Sequence, residues 1–331
     1  MNVTISDPTL RDGNHAVGHK ITLEQIKQYA RAANQAGIDI IEVGHGNGLG
    51  ASSLQLGFAA HHDRDILRCA RENIYTAKLG IHIIPGFGKL SDIKIAMEEG
   101  VDIYRVASHC TEADTTERYI KYLTDHGKET YGVLMMSHMA SRETLLDESL
   151  KMKTYGAKAI ILMDSAGAYT PVDTASKVSW ISGHVGIPVG FHAHNNLGLS
   201  IANSITAVQA GASIIDATIK GFGAGAGNTP LEVLIAVLNK YGYKTKTNLN
   251  DILHLADSAE KFLVSKLPFI QTRNISSGIH GVFSGFDKHI MEAAKKYKLR
   301  EQDVYRELGK RKVVAGQEDI IIDVCETLQK A

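Results

Sequence analysis

Short apolar runs rich in β-branched residues alternate along the chain with longer stretches whose apolar positions recur every three to four residues. The runs at 3–6, 38–43, 81–84, 101–107, 131–136, 159–163, 187–192 and 213–219 read as eight strands. The stretches at 22–36, 65–78, 91–98, 114–125, 142–155, 172–184, 200–210 and 231–240 read as helices between them. Thr22 with Gln25 three residues on is a capping box, and Gly37, Gly80, Gly100, Gly127, Gly156 and Gly211 follow helix ends. Eight βα units in about 240 residues predict an α/β fold of the TIM (β/α)8 barrel type, since an open doubly wound sheet usually has fewer strands. Beyond residue 240 the pattern changes to helices without strands, at 250–265, 286–298, 301–308 and 318–330. The expected organisation is a barrel over residues 1–245 and a C-terminal α-helical appendage over 246–331, suited to an oligomer or partner interface.

Composition narrows the function classes. Lys plus Arg and Asp plus Glu both number 36, so no global field favours nucleic acid or an anionic membrane. Cys69, Cys110 and Cys325 are far apart with no Cys-x-x-Cys, which argues against a disulfide framework and a structural zinc site. The N-terminus has no signal-peptide pattern and no apolar run approaches about 18 residues, so a cytoplasmic protein is expected.

Barrel active sites form at the C-terminal ends of the strands, and polar residues collect just there. Arg11, Asp12 and His15 follow the first strand, Glu42 and His45 the second, Ser108 and His109 the fourth, and Ser137 and His138 the fifth. Asp164 and Ser165 follow the sixth strand, and His192, His194 and Asn196 the seventh. The period of two puts His192 and His194 on one face, and a closed barrel separates Asp12 from them by a single strand. Two imidazoles and a carboxylate can hold one metal ion and leave positions for water and substrate. A 2-keto acid could fill two of those, letting the ion stabilise an enolate. The plainer alternative is one histidine in a core and the other capping a loop. Mn²⁺ or Mg²⁺ suits such a site, with Co²⁺, Zn²⁺ and Fe²⁺ left open, and the barrel context weighs against a non-haem iron oxygenase. Arg11 reads either as half of a surface ion pair or as a fixed cation facing oxyanion charge. His15 reads either as a general base or as a solvent-exposed imidazole. The run Gly221 to Ala226 has dinucleotide-fingerprint spacing, but Tyr241, Gly242 and Tyr243 stand where an acidic residue is needed. In a barrel it reads as a tight turn or a close backbone approach to a ligand.

Taken together, several segments resemble the 4-hydroxy-2-oxovalerate aldolase family. They are Thr9-Leu10-Arg11-Asp12-Gly13, Ile41-Glu42-Val43, His109-Cys110-Thr111-Glu112-Ala113-Asp114, Asp164-Ser165-Ala166-Gly167, His192-Ala193-His194-Asn195-Asn196 and Gly223-Ala224-Gly225-Ala226-Gly227-Asn228. That family is the pyruvate aldolase branch of a metal-dependent TIM-barrel superfamily that includes 3-hydroxy-3-methylglutaryl-CoA lyase and isopropylmalate synthase. The resemblance runs over about residues 6–290. It implies a class II retro-aldolase that cleaves 4-hydroxy-2-oxo acids to pyruvate and a short aldehyde in aromatic hydrocarbon catabolism. Asp12, His192 and His194 would hold the metal, Arg11 would stabilise the enolate, His15 would be the base, and Ser165 would contact substrate. It further implies a homo-oligomer and an acylating aldehyde dehydrogenase partner docked on the helical tail. Two positions depart from the family pattern: Phe283 stands where a tyrosine is usual, and Asn195 where classical members often carry histidine. Alternatives are a Claisen-type acyl-CoA lyase or synthase of the same superfamily, or a non-catalytic partner subunit. The loop 221–228 lacks the cysteine expected of the lyase, and no long regulatory domain of the synthase kind is seen.

Overall fold

The β-branched runs are buried on both faces, as parallel strands under a helical shell must be, and they close on themselves. In the computed structural model, which describes residues 2–314 and 316–330, eight parallel strands pair in chain order as a closed barrel. They are β1 (Thr4–Leu10), β2 (Ile40–Val43), β3 (Lys78–Ile83), β4 (Ile103–His109), β5 (Glu129–Met135), β6 (Ala159–Asp164), β7 (Val189–Ala193) and β8 (Ile214–Asp216). Around them lie α1 (Leu23–Gln35), α2 (Asp63–Arg71), α3 (Leu90–Glu98), α4 (Glu117–Asp125), α5 (Arg142–Tyr155), α6 (Pro171–His184), α7 (Ser200–Gln209) and α8 (Leu231–Lys240). The tail forms α9 (Leu249–Phe262), α10 (Thr272–His280), α11 (Asp287–Tyr297), α12 (Glu301–Arg311) and α13 (Asp319–Lys330). The fold expected from the sequence is therefore the one observed.

Local chemistry sets the helix starts. Thr22 and Thr170 close capping boxes on α1 and α6, Pro171 occupies the first turn of α6, and the Ser141 and Asn248 side chains accept from the first turns of α5 and α9.

Three differences from the sequence reading have physical causes. β1 runs on to Leu10 rather than ending at Ser6, because Asp7 is buried and satisfied: it accepts from the Thr9 amide at 2.9 Å and the Tyr29 hydroxyl at 2.6 Å. This delivers Arg11 and Asp12 to the rim. α2 stops at Arg71 instead of reaching 78, since the Asn34 side chain of α1 accepts from the amides of Tyr75, Thr76 and Ala77 and holds them as a loop. α10 has no counterpart in the sequence reading, because Thr, Asn, Ser and Gly dominate it and helix propensity is low.

The apolar core falls into three clusters. One lies between the strands and the helical shell and also takes in Ile252, Leu255, Ala256 and Ala259 of α9. A second fills part of the barrel interior with Ile40, Ile103, Ala107, Val133, Ile161, Met163 and Ile214 among others. The third, around Phe286, Ile290, Val304, Leu308 and Val324, belongs to α11, α12 and α13 and the turn before them. Among the described residues no helix is long and apolar enough to cross a membrane.

Candidate active site

Strand alternation turns a row of polar residues into the barrel. Ile103, Arg105 and Ala107 share one face of β4, and the first and last of these are interior residues, so Arg105 points inward between them. Register places Ser6 and His192 each opposite Asp216, and His82 opposite Arg105. These residues form a buried polar layer beneath the C-terminal rim.

Asp12, His192 and His194 meet above it. All three are buried, and one candidate donor atom from each lies within 4.8 Å of the others. His192 Nδ1 bonds Asp216 Oδ2 at 2.8 Å, while its Nε2 is buried with no hydrogen-bond partner in the structure, and so is His194 Nδ1. An Nδ1–H donated to a carboxylate leaves Nε2 as a bare lone pair, the state a metal ligand needs. Burial holds the His194 imidazolium down to a pKa of about 4 against the pull of Asp12, so the ring is neutral near pH 7. Burial pushes the Asp12 carboxyl up, but Arg11, His194 and His15 together hold it well below the usual carboxylate range. Two imidazoles, each with a buried nitrogen that has no hydrogen-bond partner, and one ionised carboxylate fit a divalent cation.

Asp12 is fixed from both sides. Oδ1 accepts from Arg11 Nη1 at 2.5 Å; Oδ2 accepts from Asn228 Nδ2 at 2.6 Å and from the Ala224 amide at 3.2 Å. The glycine-rich loop is therefore a close backbone approach to the carboxylate. A Cβ on Gly223 would lie 2.5 Å from Asp12 Oδ2 and 2.3 Å from Asn228 Nδ2.

Arg11 is buried rather than part of a surface ion pair. Its Nε donates to Glu42 Oε1 at 2.5 Å, Nη1 goes to Asp12, and Nη2 is buried with no partner. That leaves a fixed cation with unspent N–H groups, the arrangement that stabilises oxyanion charge. His15 is half-buried, and its ring lies against Gly46, where an added Cβ would sit 2.6 Å from Nε2. Burial lowers its pKa, with Asp12 pulling the other way. Edge-on to it at 5.1 Å lies His19, which stacks on His45 at 3.7 Å.

Ser165 is buried, and its Oγ accepts from the amide of Met136, which has a left-handed φ of 55°. Phe283 is half-buried and packs edge-on against Phe286. Its neighbour Ser284 is the side chain that reaches the barrel, where Asn196 Nδ2 donates to Ser284 Oγ at 2.9 Å and to Ser277 Oγ at 3.0 Å.

Sequence reading passed over Arg105, Asp216, His82 and His19. Arg105 and Asp216 did leave a trace, since a charged residue inside an apolar strand run must be paired when buried. His19 left none, because its contacts come from the loop after β2.

A buried carboxylate and two imidazoles able to hold a cation at the mouth of a β/α barrel mark a candidate metal-dependent barrel enzyme, and comparison with known proteins narrows the class. The HMGL-like family matches residues 2–258, and the DmpG-like communication domain matches residues 268–330. The 4-hydroxy-2-oxovalerate aldolase of Pectobacterium atrosepticum is 52% identical over 329 residues, covering 99% of this chain and 96% of its own length. That of Spirochaeta aurantia is 52% identical over 328 residues, covering 99% and 96%. The carboxyl transferase domain of Rhizobium etli pyruvate carboxylase with pyruvate and biocytin superposes with a TM-score of 0.82 at 15% identity, over 99% of this chain and 60% of that one, a likeness of fold alone. The chain belongs to the HMGL-like family and, within it, to the family of the 4-hydroxy-2-oxovalerate aldolases.

Proposed function

We propose that this chain is a class II, divalent-metal-dependent carbon–carbon lyase. It cleaves 4-hydroxy-2-oxo acids of the 4-hydroxy-2-oxovalerate type to pyruvate and a short aldehyde. The observation that carries this reading is the convergence of two unpartnered imidazole nitrogens and an ionised carboxylate beside an arginine with unspent N–H groups. Asp12, His192 and His194 would hold the ion, with Mn²⁺ the first choice and Mg²⁺ or Co²⁺ next. When bound, it would supply Lewis-acid polarisation of the C2 carbonyl and an anchor for the substrate carboxylate.

The chain's own residues do the rest. His15, neutral near pH 7 because burial lowers its pKa, takes the proton of the C4 hydroxyl. The C3–C4 bond breaks as the C4 oxygen becomes the aldehyde carbonyl, and the bonding pair shifts towards C2 and its oxygen. Arg11 Nη2 donates to that oxygen as it gains charge. The aldehyde leaves, and a proton delivered to C3 completes pyruvate. Ser165, buried just past β6, would contact the substrate. Phe283 in place of a hydroxyl-bearing side chain leaves one polar contact fewer for orienting the aldehyde portion.

The helical unit, 246–331, is the docking unit, with α9 laid against the barrel. Its match to a communication domain supports an acylating aldehyde dehydrogenase as partner, and a homo-oligomer is the expected state. Three unpaired cysteines suit the cytoplasm. The test is cleavage of 4-hydroxy-2-oxopentanoate by chelator-treated protein with and without Mn²⁺. Activity is expected to vanish on chelation, return with Mn²⁺, and stay absent in His194→Ala. Full turnover by metal-free protein, or turnover of acyl-CoA substrates in its place, refutes the reading.

A further inference from the structure

Beneath the candidate metal site the charged groups form one continuous chain. Asp12 Oδ1 meets Arg11 Nη1 at 2.5 Å, and Arg11 Nε meets Glu42 Oε1 at 2.5 Å. Glu42 Oε2 meets Arg105 Nη1 at 2.9 Å, Arg105 Nη2 meets Asp216 Oδ2 at 2.5 Å, and that same oxygen meets His192 Nδ1 at 2.8 Å. The chain starts on one candidate ligand and ends on another, so a cation held between Asp12 and His192 would close it into a ring. Arg105 touches neither ligand. Among the described residues it joins the half formed by Asp12 and Arg11 after β1 and Glu42 on β2 to the half formed by Asp216 on β8 and His192 on β7.

Charge and shape both require this residue type. The side chains of Arg11, Glu42, Arg105 and Asp216 are at most 4% exposed, and burying unpaired carboxylates in the barrel would cost several kcal/mol each. Three carboxylates (Asp12, Glu42, Asp216) against two guanidinium groups (Arg11, Arg105) leave one negative charge, which suits a divalent cation. Glu42 and Asp216 lie on strands at different points around the barrel wall, and the two Nη groups of one planar fork reach both at once. A lysine keeps the charge but has a single nitrogen.

We infer that Arg105 is a positioning residue of the metal site: by bridging Glu42 and Asp216 it holds Asp12 and His192 in the mutual orientation a divalent cation requires. This rests on the reading that the cation binds at Asp12, His192 and His194.

The experiment measures Mn²⁺ binding to the metal-free full-length chain by the electron paramagnetic resonance signal of free Mn²⁺, with no turnover involved. Wild type, Arg105→Lys, Asp216→Asn and the double variant are compared, each checked for an unchanged circular dichroism spectrum. Arg105→Lys is expected to weaken Mn²⁺ binding by about 10- to 100-fold, the usual effect of losing a partner behind a ligand. Asp216→Asn is expected to do the same, and the double variant to be little weaker than the worse single, because both cut one chain. A folded Arg105→Lys that binds within about twofold of wild type, or fold-losses that multiply in the double variant, overturns the inference and leaves the metal site standing. A wild type that binds no Mn²⁺ overturns the metal site itself, and the inference with it. If Arg105→Lys does not fold, Glu42→Gln and Asp216→Asn each cut one arm of the bridge, and unchanged affinity in both overturns the inference.

Discussion

Replacing Gly46 by alanine would displace the base while leaving the metal site in place. An ideal Cβ there lies 2.6 Å from His15 Nε2, 2.7 Å from Cδ2 and 2.8 Å from Cε1, against an ordinary contact of 3.4–4 Å. The overlap falls on the distal edge of the ring, so the imidazole must swing away from Gly46 by about 1 Å to reach van der Waals contact. Gly46 is not among the positive-φ glycines, so its backbone accepts alanine without strain. A displacement of that size at a positioned catalytic group costs on the order of 10²-fold in rate, equivalent to about 2.7 kcal/mol in the barrier. The assay is steady-state pyruvate release coupled to lactate dehydrogenase, with Mn²⁺ affinity and the thermal melt measured on the same preparation. The expected result is kcat down about 100-fold with Mn²⁺ affinity and melting temperature nearly unchanged. Activity within about threefold of wild type would show that His15 is not the base in the position described. A parallel fall in Mn²⁺ affinity would trace the loss to Arg11, whose Nη1 lies 3.4 Å from the Gly46 carbonyl.

Two further outcomes follow from buried polar groups. Asn196→Ala removes the amide that donates to Ser277 and Ser284. It should lower stability by about 2 kcal/mol, two buried hydrogen bonds at about 1 kcal/mol each, and raise amide exchange in the turn before α11; an unchanged urea midpoint would argue against this clasp between barrel and helical unit. The second concerns pH. Burial holds His19 and His82 to about 3 and His194 to about 4, so the unfolded chain binds protons near 6.5 that the folded one refuses, and stability falls as pH drops through that value. Each imidazole removes roughly 2 kcal/mol by pH 5. Asp7 and Asp164, raised to about 6 by burial, gain protons first in the folded state and return roughly 1.4 kcal/mol each. His138, held to about 4, and Asp287, raised to about 6, act in the same two ways, so metal-free protein should lose roughly 4 kcal/mol between pH 7.5 and pH 5 in urea unfolding; a flat or rising stability would contradict the buried, neutral state of these rings.

Periodicity sufficed for the elements whose boundaries are local. α5 and α8 begin and end where the pattern places them, at Arg142–Tyr155 and Leu231–Lys240, because local residues set the limits: the Ser141 cap and Gly156 for α5, Pro230 and the apolar positions Leu231, Leu234, Ile235 and Leu238 for α8. The alternation of eight strands with helices dictated the barrel, and the barrel dictated that residues just past the strands would share one rim. The convergence of Asp12, His192 and His194 was legible for that reason, since their location is in the topology. What sequence could not supply was set by contacts between distant segments. Asn34 ends α2 from another helix, Asp7 carries β1 across a proline to deliver Arg11, and α10, low in helix propensity, is held by packing against α12. Sequence left open whether Arg11 is a surface ion pair, and burial against Glu42 excludes that. Arg105, 99 residues from Ser6 and 111 from Asp216 along the chain, gains its meaning only when the barrel closes and brings their side chains into reach. A charge inside a strand tells from sequence that a partner must exist, since an unpaired one could not be buried; which partner, and what that pairing holds in place, is decided by the closed tertiary structure.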